Sequence, residues 1–210
     1  MEKVVEELLF DKYDLEEDNN NICLKLTEAS VEQICDFLVC NKEKIRSIAA
    51  ANIPQFSNLA LIPSVLNIIT NAGNDNIDFE YIGDKLKVSH SQSAKVKYGE
   101  NHLKLVIQMG LVLKNPYRVS NLGKIYLLMK DTEQDEMNRK LFMKIPIVQK
   151  IIIEATEENT NAMDILKSYL APKTAIRRKG NVRNLVLNVV KDLPENKRND
   201  ILNNITWNDK

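Results

Sequence analysis

No apolar run in the 210 residues approaches the roughly 20 needed to span a bilayer, and Met1 is followed by acidic residues rather than a basic signal start. A cytoplasmic protein without membrane contact is expected. Cys23, Cys35 and Cys40 form neither a paired framework nor a metal-ligand spacing, and the only two histidines, His90 and His102, lie far from them in sequence. Reduced, mostly buried thiols and no bound metal are therefore expected. The chain also lacks a phosphate-cradling glycine-rich loop, a zinc-hydrolase helix motif and a nucleophile elbow, so neither an enzyme nor a cofactor is expected. Asp78, Glu80, Asp84 and Lys85 have the composition of a divalent-cation nuclease site, but in a short charged stretch they read first as a solvated face. Six glycines are few, which favours one to three small helix-rich modules.

Net charge is missing too: Lys plus Arg equals Asp plus Glu at 29 each. Its distribution is uneven. Residues 1–57 carry twelve acids and six bases, 58–130 five and nine, and 131–210 twelve and fourteen, so the acidic third is N-terminal. That head is expected to be a helical segment, either a support for the next module or a surface for a homodimer or protein partner. Helical spacing predicts a short first helix over 2–13, a second from a Thr27 or Ser30 cap through Val39, and a third over 42–51 that stops before Pro54. Val31, Ile34, Cys35 and Leu38 form the apolar face of the second, while Glu32 and Asp36 face water.

Residues 58–131 read as a module. Pro63 opens a helix with Val65, Ile68, Ile69 and Ala72 inward, and Gly73 ends it. A short strand over 77–79 and a helix over 81–86 come next. Ala94 to Met109 is a third helix, with Leu103, Val106 and Ile107 on one stripe, and Gly110 terminates it. Leu111 to Lys114 and Tyr117 to Val119 are short β-prone runs around an Asn115-Pro116 turn, and Ser120 or Asn121 caps a closing helix to Lys130. That order predicts a winged helix-turn-helix.

Residues 132–210 repeat its opening. Ile62-Pro63-Ser64-Val65-Leu66-Asn67-Ile68-Ile69-Thr70-Asn71-Ala72 recurs 83 residues later as Ile145-Pro146-Ile147-Val148-Gln149-Lys150-Ile151-Ile152-Ile153-Glu154-Ala155, with six identities in eleven positions. Gly99 then corresponds to Gly180. The expected fold is mainly α with small β wings, in tandem winged helix-turn-helix-like modules after a helical N-terminal segment. The second module is degenerate, with a weak wing and a last helix near 197–205.

The binding signal lies in the basic helices. Between Lys85 and Lys104, five lysines meet only Glu100 and are interleaved with polar side chains. Lys87, Lys95 and Lys97 are suited to neutralising phosphates, while Ser89, His90, Ser91, Gln92, Tyr98 and Asn101 carry donors, acceptors or a stacking face. Asn115, Tyr117 and Arg118 would meet a backbone or minor groove from the wing. Lys173, Thr174, Arg177, Arg178, Lys179, Asn181 and Arg183 are the counterpart in the second module, where six bases meet no acid between Ala171 and Lys191. His102 reads as bordering the core and Trp207 as a C-terminal packing anchor.

The passage Asn101-His102-Leu103-Lys104-Leu105-Val106-Ile107-Gln108-Met109-Gly110-Leu111-Val112, followed by Tyr117-Arg118-Val119-Ser120-Asn121-Leu122-Gly123, resembles the recognition-helix-to-wing passage of bacterial winged-helix proteins. In particular it is similar to the tandem winged-helix recognition regions of type IIS restriction endonucleases over roughly residues 60–190. The resemblance implies sequence-directed binding of double-stranded DNA, without the cleavage domain, by a stand-alone reader or a subunit of a restriction-modification or defence system. Transcription regulation is the related expectation. A protein-docking adaptor built on the same modules is the alternative, and a metal-dependent nuclease a third.

Overall fold

The computed structural model describes residues 6, 9–10, 26–55, 58–73, 76–86 and 91–209. The chain divides into two compact units. A split unit takes the described residues up to 55 together with Asp135 onward, and a mid-chain unit takes Asn58–Gln134. Nearly all regular structure is helical. The expected first helix over 2–13 and Cys23 lie outside the described residues, apart from Glu6, Leu9 and Phe10.

In the split unit, helix α1 (Val31–Cys40) is opened by a capping box: the Gln33 amide donates to Ser30 Oγ, and Ser30 N–H to Gln33 Oε1. Val31, Ile34, Cys35 and Leu38 are buried, as the spacing predicts. The expected helix over 42–51 is absent. Single 3-10 turns at Lys42–Lys44 and Ala50–Asn52 flank an extended stretch. Helix-favouring alanines lose here because side chains capture the backbone: Arg178 donates to the carbonyls of Ala50 (2.6 Å) and Ile53 (2.9 Å), and Asn181 to that of Gln55 (2.8 Å).

In the mid-chain unit a 3-10 turn over Leu59–Leu61 leads into α2 (Ile62–Asn71), which has Pro63 in its first turn. Val65, Leu66 and Ile69 are buried, and Gly73 leaves the helix at φ +60°. The expected strand over 77–79 is not formed. Asp78 instead accepts from the Tyr81 amide at 2.8 Å and opens α3 (Phe79–Leu86), so Phe79 belongs to a capped helix and Ile77 precedes the cap. Ser91 caps α4 (Gln92–Gln108). A Cβ added to Gly99 of α4 would lie 1.9 Å from the Phe79 carbonyl oxygen, and one on Gly83 of α3 2.1 Å from that of Lys95, so the two helices meet backbone to backbone.

Gly110, at φ +77°, turns the chain into β1 (Val112–Leu113), which pairs antiparallel with β2 (Arg118–Val119) in the register Val112 with Val119 and Leu113 with Arg118. Asn115 takes φ +58° at the hairpin tip, a left-handed conformation that asparagine tolerates. Ser120 joins three parts: its hydroxyl donates to the Gly110 carbonyl at 2.8 Å and accepts from the Gly123 amide at 2.9 Å, capping α5 (Asn121–Leu128). Next, α6 (Asp131–Phe142) carries Asp131 and Glu133 in its first turn and Arg139 and Lys140 in its last, each matching the helix dipole. The unit division falls within α6.

The split unit resumes with the rest of α6 and α7 (Pro146–Glu157), β3 (Thr160–Asn161), α8 (Ala162–Tyr169), α9 (Pro172–Lys191), α10 (Glu195–Asn204) and β4 (Ile205–Thr206). Both repeated segments open helices with proline in the first turn, but beyond those helices the chain takes different courses. No hairpin occurs among the described residues after Asp135; β4 pairs parallel with β3. Gln149 of α7, aligned with buried Leu66, is itself fully buried and donates its amide to the carbonyls of Leu9 (3.0 Å) and Met143 (2.8 Å). Gly99 and Gly180 also differ, since a Cβ on Gly180 would meet nothing within 4 Å.

Candidate nucleic-acid interface

The basic helix of the mid-chain unit is more nearly neutral than its sequence suggests. Lys95 pairs with Asp84 of α3 at 2.7 Å, and Glu100 bridges Lys97 and Lys104 at 2.5 Å each. These two lysines hold the Glu100 carboxyl below the usual range, Lys104 most strongly. Gln92 donates to Glu80, and Lys85 lies over the Tyr81 ring, 5.5 Å from its centroid. Asp78, Glu80 and Asp84 thus cap or pair within α3 and α4, and no group of three or more potential metal ligands occurs among the described residues.

The ring of half-buried Tyr98 packs on His102 at a centroid distance of 4.1 Å, and its carbonyl lies 2.7 Å from His102 Nδ1. His102 is only 3% exposed, and burial lowers its pKa. Ser91 is exposed and Asn101 half-buried. Lys87, Ser89 and His90 lie outside the described residues. Exposed Asn115 and Arg118 flank half-buried Tyr117 on the hairpin, and these three with Gly73, Asn76, Ile77 and Pro116 line a cleft of about 540 Å³.

On α9 the expected residues part company. Arg178 is 8% exposed and points inward, clamping Ala50 and Ile53; burial, then neighbouring Arg177, lowers its pKa. Asn181 holds the Gln55 carbonyl, and half-buried Lys179 donates to that of Trp207 at 3.3 Å. These three are engaged within the split unit, and Thr174 is half-buried. Lys173, Arg177 and Arg183 are exposed, as is Lys191, and none has an ion-pair partner among the described residues. At about 100° per residue, Lys173, Arg177, Gly180, Asn184 and Lys191 fall within an arc of roughly 60°, running about 27 Å along the helix, with Arg183 on its flank. Asn184 is not among the candidates that sequence supplies, and Lys191 enters there only as one of the six bases; helical phase with exposure is the signal that places both on this arc.

The acidic head is partly spoken for as well. Lys197 of α10 pairs with Glu32 (2.8 Å) and Asp36 (2.7 Å), which raise its pKa, Asp36 first, and Lys44 pairs with Glu6 at 2.9 Å. Cys35 is buried, and burial pushes its thiol up to about 12, while Cys40 is exposed.

The class that these elements define is a mainly helical protein; the described residues hold two short strand pairs and no helix long and apolar enough to cross a membrane. No protein-family model, curated protein or solved structure matches the chain.

Proposed function

We propose that the protein is a non-enzymatic DNA-binding protein that engages duplex DNA through α9 of the split unit and the α4-hairpin end of the mid-chain unit. The observation that carries the reading is the solvent face of α9: Lys173, Arg177, Arg183 and Lys191 are exposed, lack ion-pair partners among the described residues, and meet no acid from Ala171 to Lys191. Cations in that state release phosphate counterions at full effect. In the mid-chain unit, three helices followed by an antiparallel hairpin bearing Arg118 have the order of a winged helix-turn-helix, and we read that unit so. A role in restriction-modification, defence or transcription regulation fits this reading.

The test is fluorescence anisotropy with a labelled 24-base-pair mixed-sequence duplex, titrated between 50 and 200 mM salt. Binding should weaken as salt rises, and the Lys173→Ala, Arg177→Ala, Arg183→Ala triple variant should flatten the logarithmic slope by about 0.9 for each phosphate left without its cation. No binding at the lowest salt, or an unchanged slope in a folded triple variant, overturns the proposal.

A further inference from the structure

The cleft of about 540 Å³ in the mid-chain unit is lined by Gly73, Asn76 and Ile77 together with Asn115, Pro116, Tyr117 and Arg118 of the hairpin. Its volume is that of an ordinary small-ligand site, about 300–1,000 Å³. Its chemistry is mixed in a particular way. Arg118 is exposed, has no ion-pair partner among the described residues, and carries a planar fork of donors matched to phosphate. Tyr117 is half-buried and lines the cleft, so it brings an aromatic ring of the kind on which a base stacks. Asn76 and Asn115 each supply an amide donor and a carbonyl acceptor, the pair of functions that reads a base edge, and Ile77 and Pro116 supply apolar walls.

An aromatic face, a guanidinium and two amides around one hollow suit a nucleoside phosphate better than a simple anion, which has no use for the ring. The hollow lies on the hairpin that the DNA-binding reading already places against the duplex. We infer that this cleft receives a single unpaired nucleotide of a DNA strand, its base against Tyr117 and its phosphate toward Arg118, so that the protein prefers duplexes in which one nucleotide leaves the stack. The inference rests on the DNA-binding reading, and it makes extrusion cost decisive: a mismatched base costs less to unstack than a paired one.

The full chain is titrated by anisotropy into two labelled 24-base-pair duplexes identical except for one central mismatch, with 2-aminopurine at the mismatch in a second set, and free dAMP is titrated separately by calorimetry. The mismatched duplex should bind at least about fivefold tighter, because extruding a base costs less at a mismatch than from a pair, with a rise in 2-aminopurine fluorescence. Tyr117→Ala should bring the affinity ratio to one, and Tyr117→Phe, which keeps the ring, should preserve it. Equal affinity for the two duplexes overturns the inference while leaving duplex binding standing, whereas failure to bind either duplex overturns the DNA-binding reading itself. Tight dAMP binding without a mismatch preference assigns the cleft to the free nucleotide and also overturns the strand-bound form.

Discussion

At the residue scale the sharpest constraint falls on Gly99. A methyl group there would sit 1.9 Å from the Phe79 carbonyl oxygen and 2.8 Å from the Gly83 amide nitrogen, and backbone cannot swing aside as a side-chain end can. Gly99→Ala must therefore push α3 and α4 apart and should cost at least about 1–3 kcal/mol in urea unfolding. Gly180→Ala is the counter-case: exposed in α9 with nothing within 4 Å, it should stabilise by about 0.5–1 kcal/mol, because only the helix-entropy gain remains. The repeat aligns these two glycines, so the contrast is invisible in sequence; what Gly99 does depends on a partner glycine in α3, sixteen positions earlier.

His102 gives a pH dependence at the same scale. Burial lowers its pKa below the ordinary 6.5, while the Tyr98 carbonyl partly opposes the shift. The unfolded chain then binds a proton that the folded chain resists, so His102 costs no stability above about pH 6.5 and costs increasing stability as pH falls from there toward the folded pKa. Chemical unfolding midpoints measured across that window should drop in the native protein and drop less in His102→Gln.

At the element scale, caps and stripes were legible because they depend on residues only a few positions apart. The Ser30 box, the apolar face of α1, the Ser120 cap and the Gly110 stop all arise from near neighbours. The stretch over 42–51 was not legible, because its Ala50 carbonyl, and that of Ile53 just beyond it, are taken by Arg178, 128 and 125 residues away. The strand read over 77–79 failed for a local reason: Asp78 as a helix cap outweighs two apolar neighbours. Ser120 serves both kinds of bond, capping α5 and reaching back to Gly110. Ser120→Ala removes the cap and leaves the buried Gly110 carbonyl without that donor, so it should cost about 2 kcal/mol or more, against about 1 kcal/mol for the exposed cap in Ser30→Ala. Thermal unfolding of the two variants side by side checks the order.

At the scale of the whole molecule, neutrality conceals two electrostatic conditions. The basic residues of α4 look in sequence like those of α9, but Asp84 arrives from α3 to meet Lys95, and Glu100 holds both Lys97 and Lys104. The lysine count and Glu100 at helical spacing from Lys97 and Lys104 were legible; the arrival of Asp84 from α3 at Lys95 was not, and neither was the inward turn of Arg178, Lys179 and Asn181 on α9. On the DNA-binding reading, these conditions predict unequal and opposite responses. Removing Lys97 and Lys104 together should change the salt slope by less than the roughly 1.8 expected of two unpaired phosphate-binding cations, since each already has a carboxylate. Glu100→Gln should do the reverse. It removes the shared carboxylate, releases both lysines to solvent, and should tighten duplex binding and steepen the slope. That gain should shrink when Lys97 and Lys104 are also replaced, a dependence that a double-mutant cycle in anisotropy titrations measures directly.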